Sequence, residues 1–221
     1  TIGDVPAGTG LGSSSAVTVG LLKALYAYKG IETNAKQLAE EACHIEIDIL
    51  KKPIGIQDQY ASAFGGFRFY EFTKKGVREW KVPPEDLPEH LLLLYTGITR
   101  DSSSILKVQK KNVPKNIKIL KQMKELASMA IGGDFGNLLD VSWQLKKQLG
   151  PISTPRIDRM YEVARKAGAI GGKILGAGGG GFMLLYCPNG TKEHIKKSVS
   201  ALEMPFEFEP DGSKVILNYR T

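Results

Sequence analysis

The sequence has few cysteines and no long apolar run. Its 221 residues include two cysteines, Cys43 and Cys187, and no C-x-x-C pair. We therefore expect both thiols to be reduced and buried, as is usual in a cytosolic protein. No apolar stretch approaches the roughly twenty residues that a membrane-spanning helix needs, and no signal-peptide pattern is present. These absences predict a cytoplasmic protein without a membrane partner.

Aromatic residues make up 8% of the sequence, and the excess of basic charge is not concentrated. The formal net charge is +7, but the lysines occur as scattered pairs with acidic residues between them. A nucleic-acid surface would show a basic stripe interleaved with aromatic side chains, so we predict no nucleic-acid partner. We interpret the charge as a solvated basic surface that also suits anionic small molecules.

A glycine- and serine-rich segment, PAGTGLGSSS (6–15), directly precedes a helical pattern. Glycines allow backbone N–H groups to turn toward a bound group, and serines can cap a helix, so the segment is a candidate anion site at the positive end of a helix. Phosphate fits such a site, whereas the alternative is an ordinary capped helix after a flexible turn. The segment is not a Walker P-loop, because the chain contains no G-x-x-x-x-G-K-[ST].

A second glycine-rich segment, GGKILGAGGGGF (171–182), contains the G-x-G-x-x-G spacing at Gly176, Gly178 and Gly181. A dinucleotide site requires a helix to begin at the third glycine, but a strand-like run, FMLLY, follows here. We predict instead a glycine-lined bend between two strands, which lets the backbone approach a ligand. The alternative is a flexible linker.

Candidate catalytic carboxylates lie in HIEIDILKKPIGIQDQ (44–59). Glu46 falls in the last turns of a predicted helix, where a carboxylate can bind Mg²⁺, and Asp58 follows the Pro/Gly break, where it can act as a base. Either residue alone is also explained as a solvated surface carboxylate, and Asp48 is a rival for the metal. Arg100, after a predicted strand, is a candidate for binding a substrate phosphate, or forms a plain ion pair in its loop.

Periodicity predicts an α+β chain in two parts. Predicted helices lie at about 11–28, 34–50, 102–131, 134–149, 155–168 and 191–203. Strands are predicted in FRFYEF and VREWKV as a hairpin, in LLLLYTG, on both sides of the second glycine segment, and in the final KVILNYR. The proline-rich VPPEDLPEH marks the predicted boundary between domains 1–88 and 89–221. Because the first glycine segment comes before any strand that could support it, we expect an N-terminal portion to be missing.

Together, three motifs in this order resemble the GHMP small-molecule kinases. They are P-x-G-x-G-L-G-S-S-S-A, a Glu twelve residues before the Asp of GIQDQ, and GGKILGAGGGGF. Within that superfamily the chain is most similar to the D-glycero-D-manno-heptose 7-phosphate kinases and their fucokinase-like relatives. The resemblance implies a two-domain fold, with an incomplete N-terminal part like ribosomal protein S5 domain 2, a ferredoxin-like C-terminal part, and ATP between them.

The resemblance also implies roles for individual residues in ATP-dependent phosphorylation of the anomeric hydroxyl of a sugar or sugar phosphate, with heptose 7-phosphate as the leading candidate. Asp58 would take the hydroxyl proton, and Ser14 and Glu46 would hold Mg²⁺. The ATP phosphates would be bound by Pro6, Gly8, Gly10, Leu11, Gly12, Ser13, Ser14 and Ser15. The substrate side would be formed by Arg100, Gly176, Ala177, Gly178, Gly179 and Gly180, with Lys173 as a further candidate for the distant phosphate.

The alternatives are a fucokinase- or galactokinase-like enzyme, or a non-catalytic nucleotide-binding sensor that keeps the fold. Besides the sugar substrate, the candidate partners are the missing N-terminal segment and a second copy in a homodimer.

Overall fold

The computed structural model describes residues 3, 5, 8–99 and 102–218, which fall into two units. The first unit comprises Gly12–Pro84 and the C-terminal segment from Glu207, and the second comprises Val5–Leu11 and Glu85–Phe206. The change of unit after Pro84 lies inside the proline-rich connector. The assignment of family domains to 1–88 and 89–221 stays a prediction, because the units are defined by contacts and have different bounds.

The first unit packs helices against each other and against a hairpin. Its elements are α1 (Ser13–Lys29), α2 (Ala35–Cys43), a π-helical turn (His44–Ile49), α3 (Gln57–Phe64), β1 (Arg68–Thr73) and β2 (Gly76–Lys81). The side chain of Asn34 caps α2 by accepting a hydrogen bond from the Gln37 N–H at 2.9 Å, as its sequence position predicts. The core of the unit consists of Val19, Leu38, Ala39, Ala42, Tyr60 and Ala63.

The second unit contains an antiparallel sheet covered by helices. Its elements are α4 (Leu87–His90), β3 (Leu91–Tyr95), α5 (Ser102–Met129), α6 (Phe135–Lys147), α7 (Pro155–Lys166), β4 (Gly171–Ile174), β5 (Phe182–Tyr186) and α8 (Lys192–Val199). The strand order is β3-β5-β4, and Tyr186 pairs with Leu91 on one side and Gly171 on the other. Trp143 of α6 is fully buried in the core beneath this sheet.

The structure confirms several of the predicted strands. They are the hairpin, the buried strand LLLLY and the two strands around the second glycine segment. The predicted helix at 34–50 is instead an α-helix followed by a π-helical turn. The predicted helix at 191–203 ends at Val199, because Ser200 adopts a left-handed conformation and the chain then bridges β3 through Glu203 and Leu94.

The predicted final strand is wrong over residues 214–218, which have no regular structure. A strand needs a partner for its backbone ladder. Within the described part of the first unit, the sheet consists of β1 and β2 alone. The C-terminal segment from Glu207 is attached to the unit at Glu209, whose carbonyl accepts a hydrogen bond from the Gly66 N–H at 2.6 Å.

Other expectations from the sequence have clear outcomes in the described residues. Neither cysteine is in a disulfide there, and Cys187 is buried, whereas Cys43 is only half-buried beside the core of the first unit. No helix among the described residues is long and apolar enough to cross a membrane.

Candidate active site

The start of α1 forms one side of the candidate site in the first unit. Gly12 is the residue before the helix and adopts a left-handed conformation with φ 71°, and no side chain caps the first turn. The idea that the serines cap this helix is therefore wrong, because Ser13, Ser14 and Ser15 are its first three residues. An uncapped N-terminus on a long helix presents backbone N–H groups and a partial positive charge, which favour an anion.

Two of these serines use their hydroxyls to bind a buried carboxylate. Glu46 is 0% exposed, and its Oε1 accepts hydrogen bonds from Ser14 Oγ at 2.5 Å and Lys52 Nζ at 2.9 Å. Its Oε2 accepts from Ser15 Oγ at 2.7 Å and Gln59 Nε2 at 2.7 Å. Burial acts to raise the pKa of Glu46, but the four hydrogen bonds outweigh it, so the pKa lies below its ordinary value. Glu46 is therefore a buried, ionised carboxylate.

The π-helical turn determines which carboxylate reaches this cluster. The wider turn closes through the Leu50 N–H, which donates to the Ile45 carbonyl at 2.9 Å, and it directs Glu46 inward. Asp48 is 65% exposed and pairs with His44 Nδ1 at 2.9 Å. The structure therefore places Glu46, and not its rival Asp48, beside the serines. Such turns are often found at functional sites.

Asp58 lies in the first turn of α3, directly against the start of α1. A Cβ built on Gly12 would be 3.4 Å from both Cβ and Cγ of Asp58. Asp58 is open to solvent on one side, but its partial desolvation raises the pKa of its carboxyl, and the charge of Glu46 adds to this. A raised pKa brings a carboxylate closer to the range in which it accepts a proton efficiently at neutral pH.

The first half of the glycine-serine segment belongs to the second unit, where it packs on the second glycine segment. A Cβ on Gly176 would lie 2.7 Å from the Gly10 Cα, and one on Gly181 would lie 2.0 Å from the Thr9 carbonyl oxygen. Gly178 similarly has no room for a side chain beside Ile152. These glycines are therefore required for close backbone packing. Contact of Gly176, Ala177, Gly178, Gly179 and Gly180 with a substrate stays a prediction.

Gly181→Ala is expected to destabilise the protein by about 3 kcal/mol, because the new methyl would overlap the Thr9 carbonyl and the backbone is left-handed, at φ 81°. Gly190→Ala is the matched control, since Gly190 has φ 78° but open space around its Cα. It should cost only about 1 kcal/mol. Urea unfolding checks both values, and equal losses would show that packing against Thr9 is unimportant.

A buried lysine holds the second glycine segment in place. Lys146 is 8% exposed, and its Nζ donates to the carbonyl oxygens of Ile174 at 3.1 Å and Gly176 at 2.5 Å. Burial lowers the pKa of Lys146 to about 7, and the nearby charge of Lys173 contributes. Burial likewise lowers the pKa of Lys173, the candidate for the distant phosphate. Sequence reasoning missed Lys146.

The lowered pKa predicts how stability depends on pH. In the unfolded chain Lys146 keeps its proton up to about pH 10.4, whereas in the folded chain it loses the proton near pH 7. The cost of burying the charged ammonium is therefore largest below pH 7 and falls as the pH rises above 7. Between pH 7 and 8.5, the free energy of unfolding of the wild type should increase relative to that of Lys146→Met, by up to about 1.4 kcal/mol per pH unit. Urea unfolding measures this, with the half-exposed neighbour Lys147→Met as control. A constant difference across this range would contradict the prediction.

The structure thus brings the predicted residues together in two sets, one in each unit. The first unit holds Gly12, Ser13, Ser14, Ser15, Glu46 and Asp58, and the second holds Gly8, Gly10, Leu11 and the second glycine segment. Pro6 and Arg100 lie outside the described residues. Sequence reasoning also missed Lys52 and Gln59, although Gln59 is the direct neighbour of Asp58.

The oxygen atoms of Glu46 and Ser14 are suitable ligands for a divalent cation. Its carboxylate and the Ser14 hydroxyl are hard oxygen ligands of the kind that Mg²⁺ prefers, and an ammonium group already lies against both oxygens. Among the described residues, no group of three or more His, Cys, Asp or Glu side chains could hold a metal. An Mg²⁺ ion here would therefore complete its shell with water and phosphate oxygens, as it commonly does with nucleotides.

Comparison with known proteins identifies the family. The model of the GHMP kinases N terminal domain matches residues 1–66, and that of the GHMP kinases C terminal domain matches residues 130–202. The D-glycero-alpha-D-manno-heptose 7-phosphate kinase of Campylobacter jejuni is 33% identical over 97% of this chain and 69% of its own length. The mevalonate kinase of Pyrococcus furiosus is 32% identical over 86% of this chain and 59% of its own length.

Solved structures agree with this result. A D-glycero-D-manno-heptose 1-phosphate kinase from Bacteroides thetaiotaomicron superposes with a TM-score of 0.71 and 28% identity, covering 95% of this chain and 64% of its own. The chain belongs to the GHMP kinases, a family of small-molecule kinases. Its resemblance to that family and its α+β GHMP kinase fold are thus confirmed, and it spans between 59% and 69% of the length of these relatives.

Proposed function

We propose that the protein transfers the γ-phosphate of ATP to the anomeric hydroxyl of D-glycero-D-manno-heptose 7-phosphate. The observation that carries this proposal is the position of Asp58, whose pKa is raised, against Gly12 at the uncapped start of α1. The 33% identity to a heptose 7-phosphate kinase over 97% of this chain supports this choice of substrate. The heptose phosphate kinase among the solved structures supports the same class of substrate.

The start of α1 binds the phosphates in this proposal. Phosphoryl transfer depends mainly on positioning the reactants and neutralising charge on the transferred group. The backbone N–H groups of Ser13, Ser14 and Ser15 begin a helix of 17 residues without a side-chain cap, so they are available to phosphate oxygens and strengthened by the helix dipole. Phosphate binding by the backbone of Gly8 and Gly10, which belong to the second unit, stays a prediction.

The carboxylates have separate roles. Ser14 and Glu46 hold Mg²⁺, which when bound offsets the negative charge of the phosphates. Asp58 accepts the proton of the anomeric hydroxyl while that oxygen forms its bond to the γ-phosphorus. The bond from the γ-phosphorus to the bridging oxygen breaks, and ADP leaves with the electron pair. The raised pKa of Asp58 suits it to take and then release this proton.

A panel of acceptors with ATP and Mg²⁺, read by coupled ADP release, tests the substrate assignment. The panel contains heptose 7-phosphate, free heptose, fucose, galactose and mevalonate. The proposal predicts the highest kcat/KM for heptose 7-phosphate, and the difference from free heptose isolates the contribution of the distant phosphate. Preference for fucose or galactose would replace the substrate, whereas ATP binding without turnover on any acceptor would favour a nucleotide sensor.

A further inference from the structure

Lys52 occupies the position at which the proposed metal would bind. Its Nζ lies 2.9 Å from Glu46 Oε1 and 2.6 Å from Ser14 Oγ, the two oxygens assigned to Mg²⁺. The Lys52 side chain is 35% exposed, whereas that of Glu46 is 0% exposed. The ammonium group therefore covers the buried carboxylate on the side open to solvent.

The hydrogen bonds of Glu46 leave no acceptor site for a second cation. A carboxylate offers about four lone-pair sites, and here Ser14, Lys52, Ser15 and Gln59 use one each. Ser15 and Gln59, which bind Oε2, are both buried. A metal ion that binds Oε1 from solvent must therefore displace the Lys52 ammonium.

The backbone at Lys52 allows this displacement without a change of fold. The Lys52 N–H donates to the Glu46 carbonyl oxygen at 3.0 Å, which fixes the main chain beside the π-helical turn. The ammonium is carried on a flexible stem of four carbons, so it can leave while the main chain stays. A buried carboxylate that loses its partner without replacement is costly, so either the lysine or a divalent cation must be present.

We infer that Lys52 is an internal counter-ion that neutralises Glu46 in the metal-free protein and competes with Mg²⁺ for the Ser14–Glu46 oxygens. This inference rests on the proposed function, because it concerns the metal position of the same site. Lys52 thereby lowers the affinity of the free protein for the metal, and metal binding releases the ammonium toward the solvent side.

The test measures binding of Mn²⁺ alone to the full chain without nucleotide, by the EPR signal of free Mn²⁺. Lys52→Met should bind Mn²⁺ about tenfold more tightly than the wild type, because one competing and partly exposed charge is removed. Lys51→Met is the matched control, since it removes the same charge from the exposed neighbouring residue, and its affinity should stay within about twofold of the wild type.

Two further variants keep the test decisive. Lys52→Gln removes the charge but keeps a hydrogen-bond donor, and it should also bind Mn²⁺ more tightly than the wild type. It replaces Lys52→Met in the test if that variant does not fold. Unchanged or weaker Mn²⁺ binding in the foldable Lys52 variants would overturn the inference. If Glu46→Gln nevertheless loses Mn²⁺ binding, the proposed metal site still stands. If Glu46→Gln binds Mn²⁺ as the wild type does, the inference and the proposed metal site both fall.

Discussion

Asp58→Asn is expected to lower kcat by about 10³-fold while changing the Kd for ATP by no more than about twofold. The amide is similar in size to the carboxyl group but cannot accept the proton of the sugar hydroxyl. The ATP phosphates are assigned to backbone N–H groups at the start of α1, which this substitution leaves in place. The effect should therefore fall on the chemical step and not on nucleotide binding.

Steady-state ADP release and calorimetric ATP titration measure these two quantities separately. Asp48→Asn is the matched control, since it removes a carboxylate that is 65% exposed on the neighbouring π-helical turn, and both quantities should stay unchanged. Because the pKa of Asp58 is raised, the acidic limb of the wild-type kcat/KM profile should lie above the ordinary range of an aspartate. Wild-type turnover by Asp58→Asn would remove Asp58 from the mechanism.

Glu46→Gln is expected to destabilise the first unit by about 3 kcal/mol and to raise the Mg²⁺ concentration that turnover requires, because the metal would lose its carboxylate ligand. Each carboxylate oxygen of Glu46 accepts two hydrogen bonds. The amide of glutamine would replace one carboxylate oxygen, which accepts two hydrogen bonds, by an NH₂ group that accepts none, and Lys52 would lose its charge partner. Urea unfolding and an Mg²⁺ titration of ADP release measure the two effects.

The exposed Glu40 provides the control for that experiment. Glu40→Gln removes a carboxylate from α2, where its partner Lys36 lies 3.9 Å away on the surface, and should cost less than about 0.5 kcal/mol. The double variant Glu46→Gln, Lys52→Met should lose less stability than the two single variants summed, because it removes the unpaired lysine too. Equal stability of Glu46→Gln and the wild type would show that the buried cluster does not hold the unit together.

Local patterns predict those parts of the fold that depend on local chemistry. The alternation in FRFYEF and VREWKV around Gly76 predicts the hairpin that pairs Arg68 with Lys81. The π-helical turn at His44–Ile49 could not be predicted in this way, because its residues continue the helical periodicity of α2. Its wider turn is tied to burial of Glu46 against the serines of α1, a tertiary contact that periodicity does not contain.

In the candidate site, the carboxylates could be predicted from the sequence, but the buried lysines could not. The break at PIG pointed to Asp58, and the helix before it pointed to Glu46. The sequence gives no means of choosing between members of a lysine pair. Lys52 binds Glu46 while Lys51 is exposed, and Lys146 is buried while Lys147 is only half-buried. Which lysine turns inward depends on the carboxylates and carbonyl groups that other elements bring to it.

In the proposed reaction, the γ-phosphate of ATP passes to the anomeric oxygen of the heptose. Phosphorus NMR of a reaction with heptose 7-phosphate labelled with ¹³C at its anomeric carbon tests it most directly. We expect a new phosphomonoester signal coupled to that carbon, formed in step with ADP and appearing about 10³-fold more slowly with Asp58→Asn. Release of ADP with inorganic phosphate alone, or a new phosphoester on any other carbon, would contradict it.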